Sequence, residues 1–344
     1  MHENIQKMFE GKTFVVTGGL GSIGSEIVKQ ILKFNPKVVR VIDNRETELY
    51  YGIDPQYGKQ TSSLIQYYFA DIRDKNTLVD IFHGADYVFH AAAMKHVLIC
   101  EKSPFEAVKT NILGTQNVID ACIQNDVEKM ILISTDKAVN PNSVMGTTKL
   151  LSERMVAAMY NVNFKGKTKF GAVRFGNVLY SRGSVLEIWD EQLKAGKKIT
   201  LTNPQMSRFI MGIPQSVDLI FSAVESIENG EIFILKMPSC TVETLAAAYL
   251  DLRGFPDDHF TLMAPNEGEK MHEDLLSESE ATYTLENDKF FIKLPLQFNH
   301  LNLDYYNNFG FTKTQERDFT SNDPKYLLQK DELKNIISKY ISPV

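Results

Sequence analysis

A glycine-rich segment after the first apolar run constrains the fold of this chain more than any other feature. The β-branched run 13–17 is followed by the spacing Gly-x-x-Gly-x-x-Gly, and isoleucine then recurs every four positions in a helical pattern. Glycines permit a tight turn and let backbone N–H groups approach a pyrophosphate at the positive end of a helix. This order of strand, loop and helix predicts a dinucleotide site. Its predicted residues are Gly18, Gly21, Ser22, Ile23 and Gly24.

Short β-branched runs alternate with helical patterns through the first half of the chain. Such alternation is typical of a parallel sheet with helices on both faces. The predicted fold class is therefore α/β, a Rossmann-type doubly wound parallel sheet with a smaller C-terminal substrate-binding domain. The predicted strands cover 13–17, 38–43, 64–70, 87–90, 130–134 and 169–174.

The regular alternation stops near residue 178, after which Gly, Pro, Asn and Asp interrupt the pattern more often. We predict a Rossmann domain over 1–178 and a mainly substrate-binding part with a C-terminal tail over 179–344. The segment 231–236 has the pattern of a buried strand and is predicted to return to the sheet. The tail 327–340 has helical apolar spacing and is predicted to dock on the body or on another subunit.

A helix is predicted to begin near residue 104. Ser103-Pro104-Phe105-Glu106 has the pattern of a capping box with proline at the first helical position. The spacing that follows predicts one buried apolar stripe. Its members are Phe105, Val108, Ile112, Ile119, Cys122 and Ile123.

Composition and charge exclude several classes of protein. A chain of 344 residues with 43% hydrophobic content can bury a large core, and a formal net charge of -6 provides no broad cationic surface for nucleic acid. The N-terminal residues do not have the pattern of a secretion signal and no run of 18 apolar residues occurs, so neither secretion nor membrane insertion is expected. Three widely spaced cysteines fit buried thiols in a reducing cytoplasm. No cluster has metal-ligand spacing, so no metal is predicted.

The residues that follow the second, third and fourth strands refine the cofactor prediction. Asp43 lies 19 residues past Gly24, where a carboxylate accepts hydrogen bonds from ribose hydroxyls and repels a 2′-phosphate. This favours NAD, whereas Arg45 could clamp that phosphate and keeps NADP possible. After the next two strands, Asp71 and Ile72 are predicted near the adenine, with a surface turn as the alternative, and small side chains let the cofactor approach the sheet. These small residues are Ala91, Ala92 and Ala93, followed directly by Lys95 and His96.

The usual tyrosine partner of a nicotinamide-site lysine is missing. Folds of this kind place Tyr-x-x-x-Lys on a helix beside the nicotinamide, and here Met145 stands four residues before Lys149. A thioether cannot carry the tyrosine proton. Either the chemistry has moved to Asp136 and Lys137, an acid and an amine at a strand end, or the chain binds a dinucleotide without catalysis.

The chain resembles the extended short-chain dehydrogenase/reductases, and more closely the nucleotide-sugar 4,6-dehydratases of polysaccharide and nonulosonic acid synthesis. The pair S-T-D-K-A-V-N-P and M-G-x-T-K is specific for the branch that acts on UDP-N-acetylglucosamine or a close relative, and methionine in place of tyrosine is familiar there. The matching segments are GGLGSIG at 18–24, AAAMKHV at 91–97, PFEAVKTN at 104–111, STDKAVNP at 134–141, RFGNV at 174–178, MSRF at 206–209 and GEKMHE at 268–273.

The resemblance implies a mechanism with no net redox change. The dinucleotide oxidises C4, Lys137 removes the C5 proton, Asp136 protonates the departing C6 hydroxyl, and reduction at C6 follows. Thr135 would hold the C4 oxygen, and Lys149 would contact the cofactor beside Met145. This chemistry requires a raised pKa for Asp136 and a lowered pKa for Lys137, and burial is expected to provide both. Asp136 or a water relay is the expected acceptor of the C4 hydroxyl proton.

The resemblance also implies contacts for the nucleotide sugar. Asn111 is expected at the cofactor, and the expected substrate contacts are Lys95, His96, Asn177, Arg182, Arg208, Lys270 and Glu273. A homo-oligomer is expected. Two departures from the family pattern bear on the nucleotide: Asn266-Glu267 replaces a usual arginine, and Tyr180 replaces a usual glycine. A GDP-linked sugar therefore remains an alternative to the UDP-linked one.

Two other functions share this fold and cofactor. A nucleotide-sugar 4-epimerase needs only oxidation and reduction at C4, but it depends on the tyrosine that Met145 replaces. A non-catalytic dinucleotide sensor would have no use for the acid and amine at positions 136 and 137. We therefore expect the dehydratase.

Overall fold

The computed structural model describes residues 2–53, 62–162, 166–265, 267–295 and 303–340. The strands are β1 (Thr13–Thr17), β2 (Val38–Asp43), β3 (Ile65–Phe69), β4 (Tyr87–His90), β5 (Lys129–Thr135), β6 (Lys169–Phe175), β7 (Asn177–Val178), β8 (Ile199–Leu201), β9 (Ser207–Met211), β10 (Ile232–Leu235), β11 (Ser239–Thr241), β12 (Phe260–Leu262), β13 (Asp274–Leu276), β14 (Thr284–Glu286), β15 (Phe290–Lys293), β16 (Thr312–Lys313) and β17 (Phe319–Thr320). The helices are α1 (His2–Phe9), α2 (Ser22–Ile31), α3 (Glu46–Ile53), α4 (Lys75–Phe82), α5 (Val97–Lys102), α6 (Pro104–Ala107), α7 (Gly114–Gln124), α8 (Val144–Val162), α9 (Val185–Lys194), α10 (Ile213–Ser226), α11 (Val242–Leu252), α12 (Glu278–Ala281), α13 (Leu303–Asn307) and α14 (Lys330–Ile337).

The central sheet has the strand order of a doubly wound fold. Its strands follow the order β16-β14-β15-β10-β6-β5-β4-β1-β2-β3. Every pair from β3 to β10 is parallel, with β1 between β2 and β4 at the point where the order reverses. All side chains of β1 and four of the seven in β5 are buried, because helices cover both faces of the sheet. The predicted α/β class and all six predicted strands are confirmed, with boundary shifts of one residue.

The C-terminal half of the chain extends the same sheet. β10 pairs with β6 in parallel, which confirms the predicted return of the segment 231–236. β15 then pairs antiparallel with β10, and β14 and β16 continue outward in the same antiparallel manner. The sheet therefore crosses the expected boundary at residue 178. The division into two domains stays a prediction.

A second apolar cluster lies outside the main sheet and is built from the C-terminal half. Trp189 of α9 and Tyr249 of α11 are fully buried there, with ring centroids 5.4 Å apart. Leu333 and Ile337 of α14 complete this cluster. The predicted docking of the tail on the body is therefore confirmed.

The predicted helix near residue 104 is interrupted. α6 is followed by a π-helical segment, Val108–Leu113, before α7 begins. A π turn inserts an extra residue and rotates the following side chains, so a single 3.6-residue stripe cannot persist through it. Phe105 is accordingly 79% exposed, whereas Ile119 and Cys122 are buried. The predicted capping box is also wrong: Ser103 makes no side-chain cap, and Glu106 instead pairs with Arg73 and Lys109.

Candidate active site

A cavity of about 1070 Å³ runs along the carboxyl ends of the parallel strands and continues under the C-terminal half. Ligands of open parallel sheets bind at this edge, next to the reversal of strand order. Of the predicted cofactor residues, the structure brings all but Asn111 to the cavity wall. These are Gly18, Gly21, Ser22, Ile23, Gly24, Asp43, Arg45, Asp71, Ile72, Ala91, Ala92, Ala93, Lys95 and Lys149.

The glycine loop forms a cradle that side chains would fill. Gly18 has a φ of +65°, and a Cβ there would lie 2.7 Å from the Ala92 nitrogen. A Cβ on Gly24 would lie 2.2 Å from the Gly18 carbonyl oxygen. Gly21 is the N-cap of α2, so the free N–H groups of this helix start at the loop. This shape and the helix N-terminus fit a dinucleotide pyrophosphate.

The ribose end of the cavity carries a carboxylate that already has partners. Asp43 accepts hydrogen bonds from the Leu20 N–H at 3.1 Å and from Arg45 Nε at 2.9 Å. Arg45 also contacts Glu48 of α3 at 3.3 Å. Asp43 could accept ribose hydroxyls, and Arg45 could meet a 2′-phosphate, so both predicted cofactors remain compatible with this arrangement.

A loop after β7 crosses from the second half to the glycine loop. The Arg182 N–H donates to Ser22 Oγ at 2.8 Å, and its guanidinium contacts Glu48 at 3.2 Å. Lys95 Nζ donates to the Arg182 carbonyl at 2.5 Å, and burial lowers the pKa of Lys95. Burial also lowers the pKa of His96, which lines the same part of the wall. Arg182 therefore joins the predicted cofactor and substrate regions.

The side chains of Asp136 and Lys137 lie next to each other because β5 ends before them. A 3₁₀ turn, Asp136–Ala138, follows Thr135, so the two side chains do not point to opposite faces. Asp136 Oδ1 accepts from Thr135 Oγ1 at 2.8 Å and from Lys137 Nζ at 2.9 Å. Thr135 and Lys137 line the cavity, whereas Asp136 is fully buried behind them.

The ionisation of Lys137 differs from the expectation. Burial by itself would lower the pKa of Lys137, but the carboxylates of Asp136 and Glu273 outweigh this effect and raise it. Glu273 Oε1 lies 3.6 Å from Lys137 Nζ, a contact that is not predicted from the sequence. The expected lowering of the Lys137 pKa is therefore wrong for the ligand-free protein.

The helix α8 presents the methionine and the lysine of the altered motif. Met145 and Lys149 both line the cavity, and Met145 is 4% exposed. Lys149 Nζ donates to the Ile133 carbonyl at 2.6 Å. Burial lowers the pKa of Lys149 to about 8, although Glu153 one turn away opposes the change. Lys149 could thus hold a ribose at the predicted position.

Of the expected polar ligands, Asn177, Arg182 and Arg208 line the cavity. Asn177 Oδ1 lies 3.5 Å from Lys137 Nζ. Arg208 pairs with Glu269, which also lines the wall, at 3.3 Å. An arginine at this place could bind a diphosphate through two parallel hydrogen bonds.

Three residues with expected ligand contacts lie behind the wall. Asn111 is buried in the π-helical segment and donates to Thr148 Oγ1 and to the Met94 carbonyl, so it holds the substrate loop against α8. Lys270 Nζ donates to the Val139 carbonyl at 2.6 Å, and Glu273 is 3% exposed. Their contacts with ligands stay predictions, and in this structure each acts on other protein groups.

The sequence did not indicate the far end of the cavity. This end is built from α9, the β8 region, β9 and α11, and its wall is largely apolar. The single tryptophan of the chain was the available signal. The residues there are Leu186, Ile188, Trp189, Thr200, Leu201, Thr202, Ile210, Val242, Leu245 and Met263.

The two departures from the family pattern have different outcomes. Tyr180 has a φ of 53°, a left-handed conformation that glycine adopts without strain, which accounts for the usual glycine. Asn266 lies outside the described residues, while Glu267 is exposed.

The described residues contain neither a metal-ligand cluster nor a helix that could span a membrane. Within the described ranges, no group of three or more His, Cys, Asp or Glu side chains lies close enough together to hold a metal ion. In the same ranges, every helix is too short or too polar to cross a membrane.

Comparison with curated proteins gives relatives over nearly the whole chain. An uncharacterized membrane protein of Methanocaldococcus jannaschii is 43% identical over 345 residues, covering 98% of this chain and 99% of the relative. A UDP-glucose 4-epimerase of Rickettsia typhi is 38% identical over 335 residues, covering 96% of each.

Solved structures share the fold. Pen from Bacillus thuringiensis superposes with a TM-score of 0.87 at 34% identity, covering 96% of this chain and 99% of Pen. The dTDP-glucose 4,6-dehydratase DesIV from Streptomyces venezuelae, solved with NAD bound, superposes with a TM-score of 0.67 at 22% identity, covering 75% of this chain and 86% of DesIV.

The family assignment follows from sequence and fold together. A family model described as polysaccharide biosynthesis protein matches residues 14–295. The sheet order, the glycine loop and the cavity agree with the extended short-chain dehydrogenase/reductase fold of nucleotide-sugar dehydratases and epimerases. The chain belongs to the polysaccharide biosynthesis protein family.

Proposed function

We propose that this protein is a nucleotide-sugar 4,6-dehydratase that converts UDP-N-acetylglucosamine, or its GDP-linked counterpart, to the 4-keto-6-deoxy sugar. One observation carries the proposal. A hydrogen-bonded acid and amine, Asp136 and Lys137, stand at the carboxyl end of β5, and the amine lines the same cavity as Met145. An acid and a base for the elimination step are thus available, although the tyrosine that usually serves oxidation and reduction at C4 is missing.

The cofactor of the proposed reaction is NAD, with NADP as the alternative. The glycine cradle, the α2 N-terminus and Asp43 fit a dinucleotide, and NAD is bound in solved neighbours with this fold, among them DesIV. Bound NAD would supply the oxidation at C4, which acidifies the C5 proton, and the later reduction at C6. Lys149 would hold the nicotinamide ribose through its ammonium group.

The acid and amine divide the proton transfers between them. Asp136, as a carboxylate, takes the proton of the C4 hydroxyl during oxidation through the hydroxyl of Thr135, which lines the cavity, and later delivers it by the same route to the C6 hydroxyl, which leaves as water. Lys137, as a neutral amine, takes the C5 proton and returns it to C5 at the end. Every proton is accounted for, and Thr135 holds Asp136 through its hydroxyl.

The nucleotide half of the substrate would extend toward the far end of the cavity. Arg182 and Arg208 both line the cavity and could bind the diphosphate, and a nucleobase could pack on the largely apolar far end, where Trp189 and Thr200 lie. At about 1070 Å³ the cavity exceeds the 300–1,000 Å³ typical of sites for one small ligand. It suits a dinucleotide and a nucleotide sugar together.

The mass of the nucleotide sugar tests the proposal. Purified protein with NAD is incubated with UDP-N-acetylglucosamine and, separately, with GDP-N-acetylglucosamine. The masses of the nucleotide sugars are then measured by mass spectrometry. We expect the loss of one water molecule from one of the two. An unchanged mass with both sugars, under NAD and under NADP, contradicts the proposal.

A second candidate is a nucleotide-sugar 4-epimerase, since relatives 38% identical carry the name UDP-glucose 4-epimerase. Epimerisation leaves the mass unchanged and inverts C4, which nuclear magnetic resonance detects. Epimerisation needs no base for the C5 proton, so the Lys137 amine at the cavity favours the dehydratase.

A further inference from the structure

Behind the cavity wall, three titratable side chains from two distant parts of the chain meet. Lys137 Nζ lies 2.9 Å from Asp136 Oδ1 and 3.6 Å from Glu273 Oε1. Glu273 directly precedes β13, and its backbone is fixed by hydrogen bonds in both directions with Ser321. The lysine is thus flanked by two carboxylates, of which only one is its sequence neighbour.

The proposed dehydration, on which this inference rests, sets the required ionisation states. Lys137 must be a neutral amine when it takes the C5 proton, and Asp136 must be a carboxylate when it takes the C4 hydroxyl proton. Asp136 therefore cannot also hold the proton that Lys137 has to lose. Within the described residues, the other acid in contact with Lys137 Nζ is Glu273.

We propose that Glu273 takes the ammonium proton of Lys137 when substrate binds and returns it when product leaves, which makes Glu273 a positioning residue for this base. An N–H bond at Nζ breaks and an O–H bond forms at Oε1, so the exchange needs no other reactant. The lysine has freely rotating terminal bonds, and the 3.6 Å contact needs to shorten only to the usual hydrogen-bond length of about 2.9 Å.

The surroundings of Glu273 favour a protonated carboxyl. Its side chain is buried, and Oε2 has no hydrogen-bond partner among the described residues. Burial raises the pKa of Glu273 and Asp136 adds to the effect, while Lys137, Arg208 and Lys270 oppose it. A buried carboxyl with an unpaired oxygen is easier to protonate than one in water.

The other charged groups that face Glu273 have partners of their own. Lys270, in the preceding loop, lies 3.8 Å from Oε2 and also donates to the Val139 carbonyl. Arg208 of β9 is paired with Glu269. Lys137 is the cation nearest to Glu273, so it is the group with which Glu273 can exchange a proton.

Replacing the carboxyl by an amide tests the proposal, because Glu273→Gln keeps the shape and cannot accept the proton. We expect kcat for water loss to fall about 10²-fold, with KM changed less than about twofold because Glu273 is not on the cavity wall. The transient absorbance of the reduced cofactor should still form. The kcat of the variant should rise about tenfold per pH unit where the wild type is flat, because Lys137 must then lose its proton to solvent.

A second measurement needs neither substrate nor cofactor. The pH dependence of Lys137 acetylation by acetic anhydride is mapped by mass spectrometry in the substrate-free protein. Glu273→Gln should move the midpoint to lower pH, since an anion beside the ammonium group is lost. Glu278→Gln is the matched control, because Glu278 is 66% exposed and, in the part of the chain that the structure describes, pairs with the exposed Arg317. It should change neither kinetics nor acetylation.

Several results would overturn the inference. A Glu273→Gln protein with the kcat and pH profile of the wild type does so, as does a raised KM with unchanged kcat. If this variant fails to fold, Glu273→Asp decides: the shorter side chain should lower kcat about tenfold, and an unchanged kcat contradicts the proposal. A wild type that removes no water from the sugar overturns the proposed function as well, whereas a dehydrating wild type with an unaltered variant overturns this inference alone.

Discussion

Two buried ionic clusters connect the halves of the molecule, and they differ in how completely their polar atoms are paired. In the Arg174 cluster, Arg174 binds both Glu153 and Glu280 with two hydrogen bonds each and donates to the Leu275 carbonyl, and Lys293 contacts Glu280 at 3.2 Å. In the Lys137 cluster, formed by Asp136, Lys137 and Glu273, one oxygen of each acid has no hydrogen-bond partner among the described residues.

The difference separates a structural role from a chemical one. A fully paired buried network fixes one arrangement of the chain, and Arg174 with no exposed surface ties β6 to α8 and α12. A partly paired cluster keeps lone pairs and protons available, and Lys137 is 26% exposed at the cavity. The same residue types therefore support packing at one place and proton transfer at the other.

Removal of Lys137 tests the chemical role and has the largest expected effect. Lys137→Ala deletes the proposed base, so we expect kcat for water loss to fall about 10⁴-fold, equivalent to about 5 kcal/mol in the barrier. The cofactor content should not change, because the glycine cradle is separate from this side chain. Product mass and bound NAD are measured on the same preparation, and turnover at the wild-type rate contradicts the base assignment.

Removal of Arg174 tests the structural role. Arg174→Met leaves Glu153 and Glu280 buried without their main partner, so we expect the free energy of unfolding to fall by about 4 kcal/mol. The kcat of the folded fraction should change by no more than about fivefold. Arg317→Met, at a pair with both side chains exposed, should cost no more than about 0.5 kcal/mol in urea unfolding. Equal losses in the two variants would erase the distinction between buried and exposed pairs.

The sequence predicts what depends on neighbouring residues. The strands, the glycine loop and the cavity-facing Lys149 follow from local patterns. The ionisation of Lys137 could not be predicted in this way. It depends on Asp136 and also on Glu273, whose distance to Lys137 is fixed only when β13 packs beside the turn after β5.

The errors of the sequence analysis have the same origin. A spacing of 3.6 residues per turn predicts a buried Phe105, but the segment that follows contains a π turn and Phe105 is exposed. The antiparallel strands β14 and β16 are three and two residues long, too short for a clear alternation. Contacts between distant segments decide both features.

The substitution Glu280→Gln tests the complete pairing of the Arg174 cluster through the pH dependence of stability. Burial alone would raise the pKa of Glu280, but the charge and hydrogen bonds of Arg174, with Lys293, lower it to about 2. A lowered pKa means that the carboxylate stabilises the fold above pH 4.5 and that this stabilisation is lost as pH falls toward 2. We expect the variant to be roughly 3 kcal/mol less stable at neutral pH, with a difference that shrinks on acidification. Urea unfolding across this range measures it, and a constant difference contradicts the assignment.

Glu273→Gln should have the opposite sign and a smaller size. The pKa of Glu273 is raised by burial and by Asp136, so the folded protein binds this proton more readily than the unfolded chain. The charged carboxylate therefore costs stability as pH rises above 4.5 through the folded-state pKa. The amide removes that cost, and we expect the variant to gain about 1 kcal/mol in urea unfolding at neutral pH and to lose the gain below pH 4.5. A loss of stability as large as that of Glu280→Gln would mean that the Lys137 cluster is paired as completely as the Arg174 cluster, and that its free oxygens are not available for proton transfer.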